Sequence, residues 1–321
     1  MHQSVIVVTW RRPDHVTRCL AALAGSTQVP DEVIVVDASE DSATADAVSR
    51  SALGLRGVAI RLGFPGGAGH MTTARNVGLL HAHGDVISFL DDDVRVSDGW
   101  SAAVCATMRT GVQAVAGRVS NGEPGESVFG AIEIGTLRDD GSLTGNFAAD
   151  PGSSVPVLHG IGANMSFSRD VLAALGGFRD LFPGTAMRED TDVFLRIKAL
   201  DGRTLFSPDA LVHNDSGPHV VGKRFDLRYV WWAEHNHGLL LVLNFGLGAG
   251  ALTWRYVRSM TAGLITHESE RRASNRLLRA AARVAGLALG VARGAWLIHA
   301  GNDPRRLDRE GQAITRHLQQ S

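Results

Sequence analysis

A chain of 321 residues that is 44% hydrophobic and 20% charged has ordinary globular composition, and its length suits one large or two modest domains. With 32 Lys and Arg against 33 Asp and Glu its formal charge is −1, so no basic excess points to nucleic acid. Cys19 and Cys105 fall in helical patterns and read as buried free thiols of a reducing cytoplasm. Met1 to Ser4 lead straight into strand-like residues, without the basic and apolar regions of a cleaved signal peptide.

In chain order, residues 5–9 form a β-branched run suited to a strand buried on both faces. Pro13 suits the first turn of a helix reaching Ala24. A second such strand, 33–36, ends at Asp37, and Asp41 or Ser42 caps the helix that follows. Residues 58–62 predict a third strand before a Gly-rich loop at 63–69, and 72–83 a helix stopped by Gly84. The apolar run 86–90 is a fourth strand, ending in Asp91, Asp92 and Asp93. Ser97 is placed to cap a helix reaching about Arg109, and 112–119 is strand-like. The stretch 120–152 is polar and aperiodic. Residues 160–167 then read as a strand, 170–175 as a helix, 184–188 as a loop and 189–200 as an amphipathic helix. Two short strands, 204–206 and 210–213, close the series. From Lys223 onward the pattern is helical. Alternating strands and helices are the signature of a parallel sheet wrapped by helices.

Three adjacent carboxylates repel one another and serve no folding purpose at a strand end. They suit either a solvated acidic turn capping a helix or a site for a hard divalent cation, which takes oxygen ligands and shares them with phosphates. In open α/β sheets ligands also bind beyond the carboxyl ends of strands. Thr9-Trp10-Arg11 and Asp37 occupy that position after two other strands, and Asp37 is an acceptor suited to a base or ribose. The Gly66-Gly67-Ala68-Gly69 run lacks the dinucleotide fingerprint spacing, so a nicotinamide enzyme is not indicated.

Seven spaced elements then occur in one order: 5–9, 33–37, Thr73-Ala74-Arg75-Asn76-Val77-Gly78, 89–94, Gly162 to Phe167, Arg188-Glu189-Asp190-Thr191-Asp192 and His213-Asn214-Asp215. Together they resemble the family 2 glycosyltransferases. Trp231-Trp232-Ala233-Glu234-His235-Asn236 more loosely resembles the helical tail of rhamnosyl- and galactofuranosyl-transferring members. The resemblance implies an α/β fold of GT-A type, a Rossmann-like mixed sheet flanked by helices. It also implies a catalytic domain at 1–222 and a C-terminal helical extension at 223–321.

What the resemblance implies for the site can be stated residue by residue. Asp93 would bind Mn²⁺ or Mg²⁺, with Asp91 reaching the ribose or the metal's water shell and His213 as a third protein ligand. Asp37 would read a uracil or thymine imide N–H, flanked by Thr9 and Arg11. Arg75 would contact the diphosphate or brace Asp91, and Asp92 would stand on the nucleotide-sugar side as a largely structural residue. Asp190 would be the catalytic base of an inverting displacement, with Glu189 orienting the acceptor. Asp192 would face away as a solvated or salt-bridged residue. Trp231 and Trp232 either line an acceptor subsite or pack the tail on the domain.

The resulting expectation is a metal-dependent inverting glycosyltransferase that uses a UDP- or dTDP-sugar. Its acceptor would be a glycan, a lipid-linked saccharide or a small molecule. A sugar nucleotidyltransferase and a non-catalytic nucleotide-sugar scaffold are the alternatives. The apolar stretches 239–254 and 284–298 fall short of the roughly 20 residues of a spanning helix. With the arginines of 271–283, the tail suits either a homodimer contact or peripheral binding to the inner face of the membrane.

Overall fold

The computed structural model describes residues 1–51, 55, 57–61, 71–123, 126–130, 132–184, 187–215, 226–266, 273–300 and 309–320. The Gly-rich loop at 63–69, Lys223 and Arg271-Arg272 lie outside the described residues.

Strand β1 (Gln3–Thr9) is the hub, pairing in parallel with β2 (Glu32–Asp37) on one side and β4 (Val86–Asp91) on the other. β3 (Gly57–Arg61) extends the sheet beyond β2. Beyond β4 the sheet turns mixed. β8 (Asn164–Ser168) lies antiparallel to both β4 and β6 (Ala114–Ser120), and β9 (Thr204–Asn214) runs parallel to β6. β5 (Val94–Val96) and β7 (Val155–Pro156) pair with β9. The strand order is β3-β2-β1-β4-β8-β6-β9-β5. The two short closing strands expected at 204–213 are one strand, bent by a register shift opposite Gly117 and Arg118.

The sheet's alternation explains its two apolar runs. In β1, Val5 and Val7 face a layer with Leu20, Leu23, Trp100 and Val104, while Ile6 faces Phe89, Phe167, Phe178 and Phe194 on the other side. The first layer comes from α1 (Pro13–Ala24) and α4 (Trp100–Met108). The second comes from α3 (Met71–Leu79), α5 (Arg169–Leu175) and α6 (Glu189–Ala199). α2 (Ala43–Ser51) packs beside α1. Asp41 accepts the N–H of Ala43 at 3.0 Å at the start of α2, as the sequence suggests. Ser97 does not cap α4, whose N-cap is Gly99 without a side-chain bond; only the Ser97 carbonyl engages, accepting from Trp100 N–H. Cys19 and Cys105 are buried and free.

The tail comprises α7 (Leu227–Phe245), a 3-10 turn, α8 (Ala249–Thr266), α9 (Ala273–His299) and α10 (Arg309–Gln320). Helix α9 lies on α7 through Gly286, Gly290 and Gly294, one per turn. A β-carbon at Gly290 would overlap the His235 carbonyl oxygen, and one at Gly286 would meet the Trp231 carbonyl. Close backbone approach therefore requires glycine along this stripe, whatever its cost in helix propensity. Helix α10 returns to the sheet domain, burying Ile314 and Leu318 in the same apolar layer as Phe89. The tail is thus laced into the sheet domain rather than hung from it. One correction concerns the apolar stretch at 284–298. It belongs to a longer helix whose portion Leu277–His299 has the length and composition to cross a membrane, although the glycine face is docked on α7.

Candidate active site

The carboxyl ends of β2, β1 and β4 lie side by side, with Thr9 opposite Asp37 and Val8 opposite Asp91. Because β1 has a parallel neighbour on each side, its end is the switch point at which open α/β sheets bind ligands. Asp37 is buried there. Its Oδ1 accepts the Ser39 N–H at 2.9 Å, while Oδ2 is buried with no partner, leaving an acceptor for a ligand's N–H.

Strand β4 stops at Asp91, and Asp92-Asp93 form the turn into β5. Asp91 and Asp93 therefore do not share one extended segment. Asp92 is buried and accepts from the Thr9 hydroxyl at 2.7 Å and from Arg12 Nη1 at 3.0 Å. The same Arg12 nitrogen reaches Asp93 at 2.8 Å. Thr9 and Asp92 thus hold one another and Arg12. Burial pushes the Asp92 carboxyl up to about 6, against the opposing pull of Arg12. Arg11 lies at the edge of this cluster. Its backbone is left-handed (φ 54°), and its guanidinium pairs at the exposed rim with Glu40 at 2.8 Å.

Arg75 sits on α3, only 1% exposed, and joins the two halves of the site. Its Nη1 donates to Glu189 at 2.6 Å and its Nη2 lies 3.5 Å from Asp91. Phe178 packs 5.7 Å beneath the guanidinium, and the N–H and carbonyl of Phe178 are held by the side chain of the next residue, Asn76. Arg75 thus pairs with Glu189 and lies beside Asp91, buried between the two halves of the site. Burial raises Asp91 to about 6, opposed by Arg75 and reinforced by Asp93 and Asp92. Burial followed by the charge of Asp190 raises Glu189 to about 8, and its Oε2 is buried without a partner.

Asp190 opens α6 beside Glu189. Its Oδ2 accepts the Gly162 N–H at 3.0 Å and its Oδ1 the Thr191 N–H at 2.6 Å, so two backbone donors aim the carboxylate. Gly162 is needed for this approach, because a β-carbon there would strike Arg75. Asp192 is not solvated. It is fully buried, bonded to Arg179 at 3.1 Å and to Asn244 at 2.9 Å, and ties α6 to α7.

His213 is exposed on β9 opposite Arg95, two residues before Asp215, whose N–H donates to the Asp93 carbonyl at 2.7 Å. Asp91, Asp93 and His213 do not form a ready-made cage: among the described residues no group of three or more His, Cys, Asp or Glu is placed to hold a metal. The donor set nonetheless has the chemistry of a hard cation. Among the described residues the guanidiniums of Arg12 and Arg75 are the cations paired with Asp91, Asp92, Asp93 and Glu189, and Asp190 adds a further carboxylate beside them.

On the tail side, Trp232 lies against the backbone of Gly184 and meets the His235 ring edge-on at 5.2 Å. Asn236, fully buried, donates to the Pro183 carbonyl at 3.0 Å. The Trp231 carbonyl backs onto α9. Trp231 and Trp232 are both half-buried, and the contacts of α7 hold Pro183 and Gly184, a few residues before Glu189-Asp190. Sequence reasoning gave no role to Arg12, Asn236 or Arg188, although Arg12 stands just before Pro13, Asn236 closes the tail motif and Arg188 opens the Glu189-Asp190 element.

Comparison with known proteins agrees with this geometry. The chain is 28% identical over 250 residues, 75% of each chain, to the succinoglycan biosynthesis protein ExoM of Rhizobium meliloti (strain 1021). Its fold resembles a mannosyltransferase from Pyrobaculum calidifontis solved with GDP-Man and Mn²⁺, at a TM-score of 0.56 and 18% identity over 92% of this chain and 87% of that one. It also resembles S. aureus TarS 1-349 in complex with UDP-GlcNAc, at a TM-score of 0.57 and 16% identity over 100% and 92%. Residues 4–176, more than half of the chain and spanning β1 to α5, match the family described as glycosyl transferase family 2, so the chain is a glycosyltransferase of that family.

Proposed function

We propose that this enzyme transfers a sugar from a nucleoside-diphosphate-sugar, UDP- or dTDP-linked, to a hydroxyl of a saccharide acceptor with inversion of configuration. The observation that carries the reading is the acidic cluster at the switch point. Asp91 and Asp93 are offered to a divalent ion on one side and Asp190 to an acceptor on the other, with Arg75 and Glu189 between them. The unpartnered Oδ2 of Asp37 supports reading of a pyrimidine imide N–H.

Mn²⁺ or Mg²⁺ held by Asp93 and Asp91, with His213 as a third ligand, would offset charge on the departing diphosphate. The Asp190 carboxylate, aimed by Gly162 and Thr191, takes the proton of the attacking hydroxyl on the side opposite the diphosphate. Glu189, protonated near neutrality, presents a hydrogen-bond donor to the acceptor and leaves Asp190 as the base. Mn²⁺ in the Pyrobaculum complex and the nucleotide-sugars in both structural relatives support this assignment.

The likeness to a succinoglycan biosynthesis protein supports a growing polysaccharide as acceptor. The enzyme works in the cytoplasm at the inner membrane face, to which α8 and α9 present Trp254, Trp296, Leu277 and Leu289 beside Arg255, Arg258 and Arg293. Titration with UDP-, dTDP- and GDP-sugars, with Mn²⁺ and with EDTA, tests the reading. Metal-dependent binding of a pyrimidine nucleotide-sugar is expected, and failure of every donor to bind in the presence of Mn²⁺ overturns it.

A further inference from the structure

The residue before the Glu189-Asp190 pair is held in a conformation that side chains rarely adopt. Arg188 is the N-cap of α6 at φ 86°, yet its side chain makes no capping bond. Serine, asparagine or glycine would start the helix better, so helix formation does not explain an arginine here. Arg12, Arg75, Arg118, Arg179, Arg196 and Arg283, by contrast, each pair with a carboxylate. Among the described residues the Arg188 guanidinium has neither a hydrogen-bond nor an ion-pair partner, and its Nε is buried.

Among the described residues no acid bonds it. Arg188 lies within electrostatic reach of His237, His159 and Tyr256, on the tail side of Asp190. Both oxygens of Glu234 on this wall are taken, one by the Tyr256 hydroxyl at 2.9 Å and one by Arg283 at 2.7 Å. Those of Asp190 are taken by Gly162 and Thr191. Asp140 turns to Ser142 at 2.6 Å. His237 is fully buried and its Nε2 faces the Gly141 carbonyl at 2.9 Å, which places the proton on Nε2 and leaves Nδ1 as a lone-pair acceptor without a partner. Burial, with Arg188 nearby, holds that ring near 3, so it stays neutral. The wall therefore presents one half-buried guanidinium without a bonded acid and one unfilled acceptor, and such a guanidinium gains charge-assisted hydrogen bonds when an anion arrives.

We propose that Arg188, with His237 at its side, forms an acceptor subsite for an anionic group, a sugar carboxylate or a phosphate ester. Arg188 takes the anion, and His237 Nδ1 takes an adjacent hydroxyl of the same acceptor. The assignment rests on Asp190 being the base that faces that acceptor. It gives the enzyme discrimination between charged and neutral acceptors through a group that a neutral sugar leaves unpaired.

The test uses the full-length protein loaded with UDP and Mn²⁺, in wild-type, R188Q and R188K forms. Three probes are titrated calorimetrically: methyl β-glucuronide, glycerol 3-phosphate and methyl β-glucoside. Wild type should bind at least one anionic probe ten-fold or more tighter than the glucoside, and which of the two does so identifies carboxylate or phosphate. R188Q should lose that preference while still binding UDP with Mn²⁺, and R188K should keep most of it. H237F should weaken the glucuronide and the glucoside alike, and its thermal unfolding reports whether the wall remains folded. Equal binding of charged and neutral probes by wild type overturns the subsite, as does a preference that survives in R188Q. Failure of wild type to bind UDP with Mn²⁺ would instead count against the donor reading.

Discussion

The two walls of this site are built on opposite electrostatic plans. On the sheet side, five carboxylates crowd around Arg12 and Arg75, and burial drives Asp91, Asp92 and Glu189 toward their neutral forms. On the tail side the histidines are held neutral and Arg188 has no bonded acid among the described residues. A wall with excess negative charge suits a cation and the phosphates it carries, while an arginine without a bonded acid suits an anionic acceptor. Asp190 stands at the boundary. The difference teaches that donor and acceptor chemistry can be separated by removing single charges from one wall at a time.

The largest effect should come from that boundary. Asp190→Asn keeps the bond from Gly162 but cannot take a proton, so turnover should fall by about 10²–10⁴-fold, the usual worth of a positioned general base. Binding of the nucleotide-sugar, measured by calorimetry, should stay near wild type. A parallel loss of donor binding would mean that the two walls are not separable.

Next in size is the brace between the halves. Arg75→Met leaves Glu189 and Asp91 buried without their guanidinium, and breaking a buried pair in this way costs about 3–5 kcal/mol, read by urea unfolding. The same carboxyls give the metal-free protein a pH signature. Glu189 at about 8 and Asp91 and Asp92 at about 6 all lie above their unfolded values of 4.5 and 3.8. The folded chain therefore binds more protons than the unfolded one across that window, and stability falls as pH rises from about 4 to about 8. Mn²⁺ should flatten the slope by stabilising the ionised carboxylates, and the melting temperature across this range, with and without the ion, checks the sign.

Much of the sheet wall could be read from residues alone. Val33 to Asp37 and Val86 to Asp91 carry both the strand pattern and the acid at its end, and Glu189-Asp190 begins the predicted helix. What local reading missed depends on pairing across the chain. Asp92 is drawn under the sheet because Thr9 and Arg12 lie eighty-odd residues away in sequence yet on the adjoining strand end. Asp192 is buried because Arg179 and Asn244 converge on it from other elements. The tail carries its logic in small residues rather than large ones: Gly286, Gly290 and Gly294 repeat every fourth residue, a spacing eclipsed by the apolar composition around it. Gly290→Ala should therefore cost about 1–3 kcal/mol, since the new methyl meets a backbone carbonyl that cannot turn away. Because α7 also fixes the loop before Glu189 through Asn236 and Trp232, the same change should lower transfer without touching either wall's charges, and parallel urea and turnover measurements would show both losses.

The smallest predicted effect runs the other way in stability. Arg188 is held at φ 86°, where a glycine is at ease, and its guanidinium makes no bond among the described residues. Arg188→Gly should therefore stabilise the ligand-free fold by about 1 kcal/mol, the order of the strain stored in a left-handed non-glycine residue. Affinity for an anionic acceptor should drop at the same time, so the urea midpoint and the acceptor KM rise together. A residue retained for its packing would lower the urea midpoint when removed, and a residue without a ligand would leave KM unmoved. Only a binding residue held at the expense of stability moves both upward.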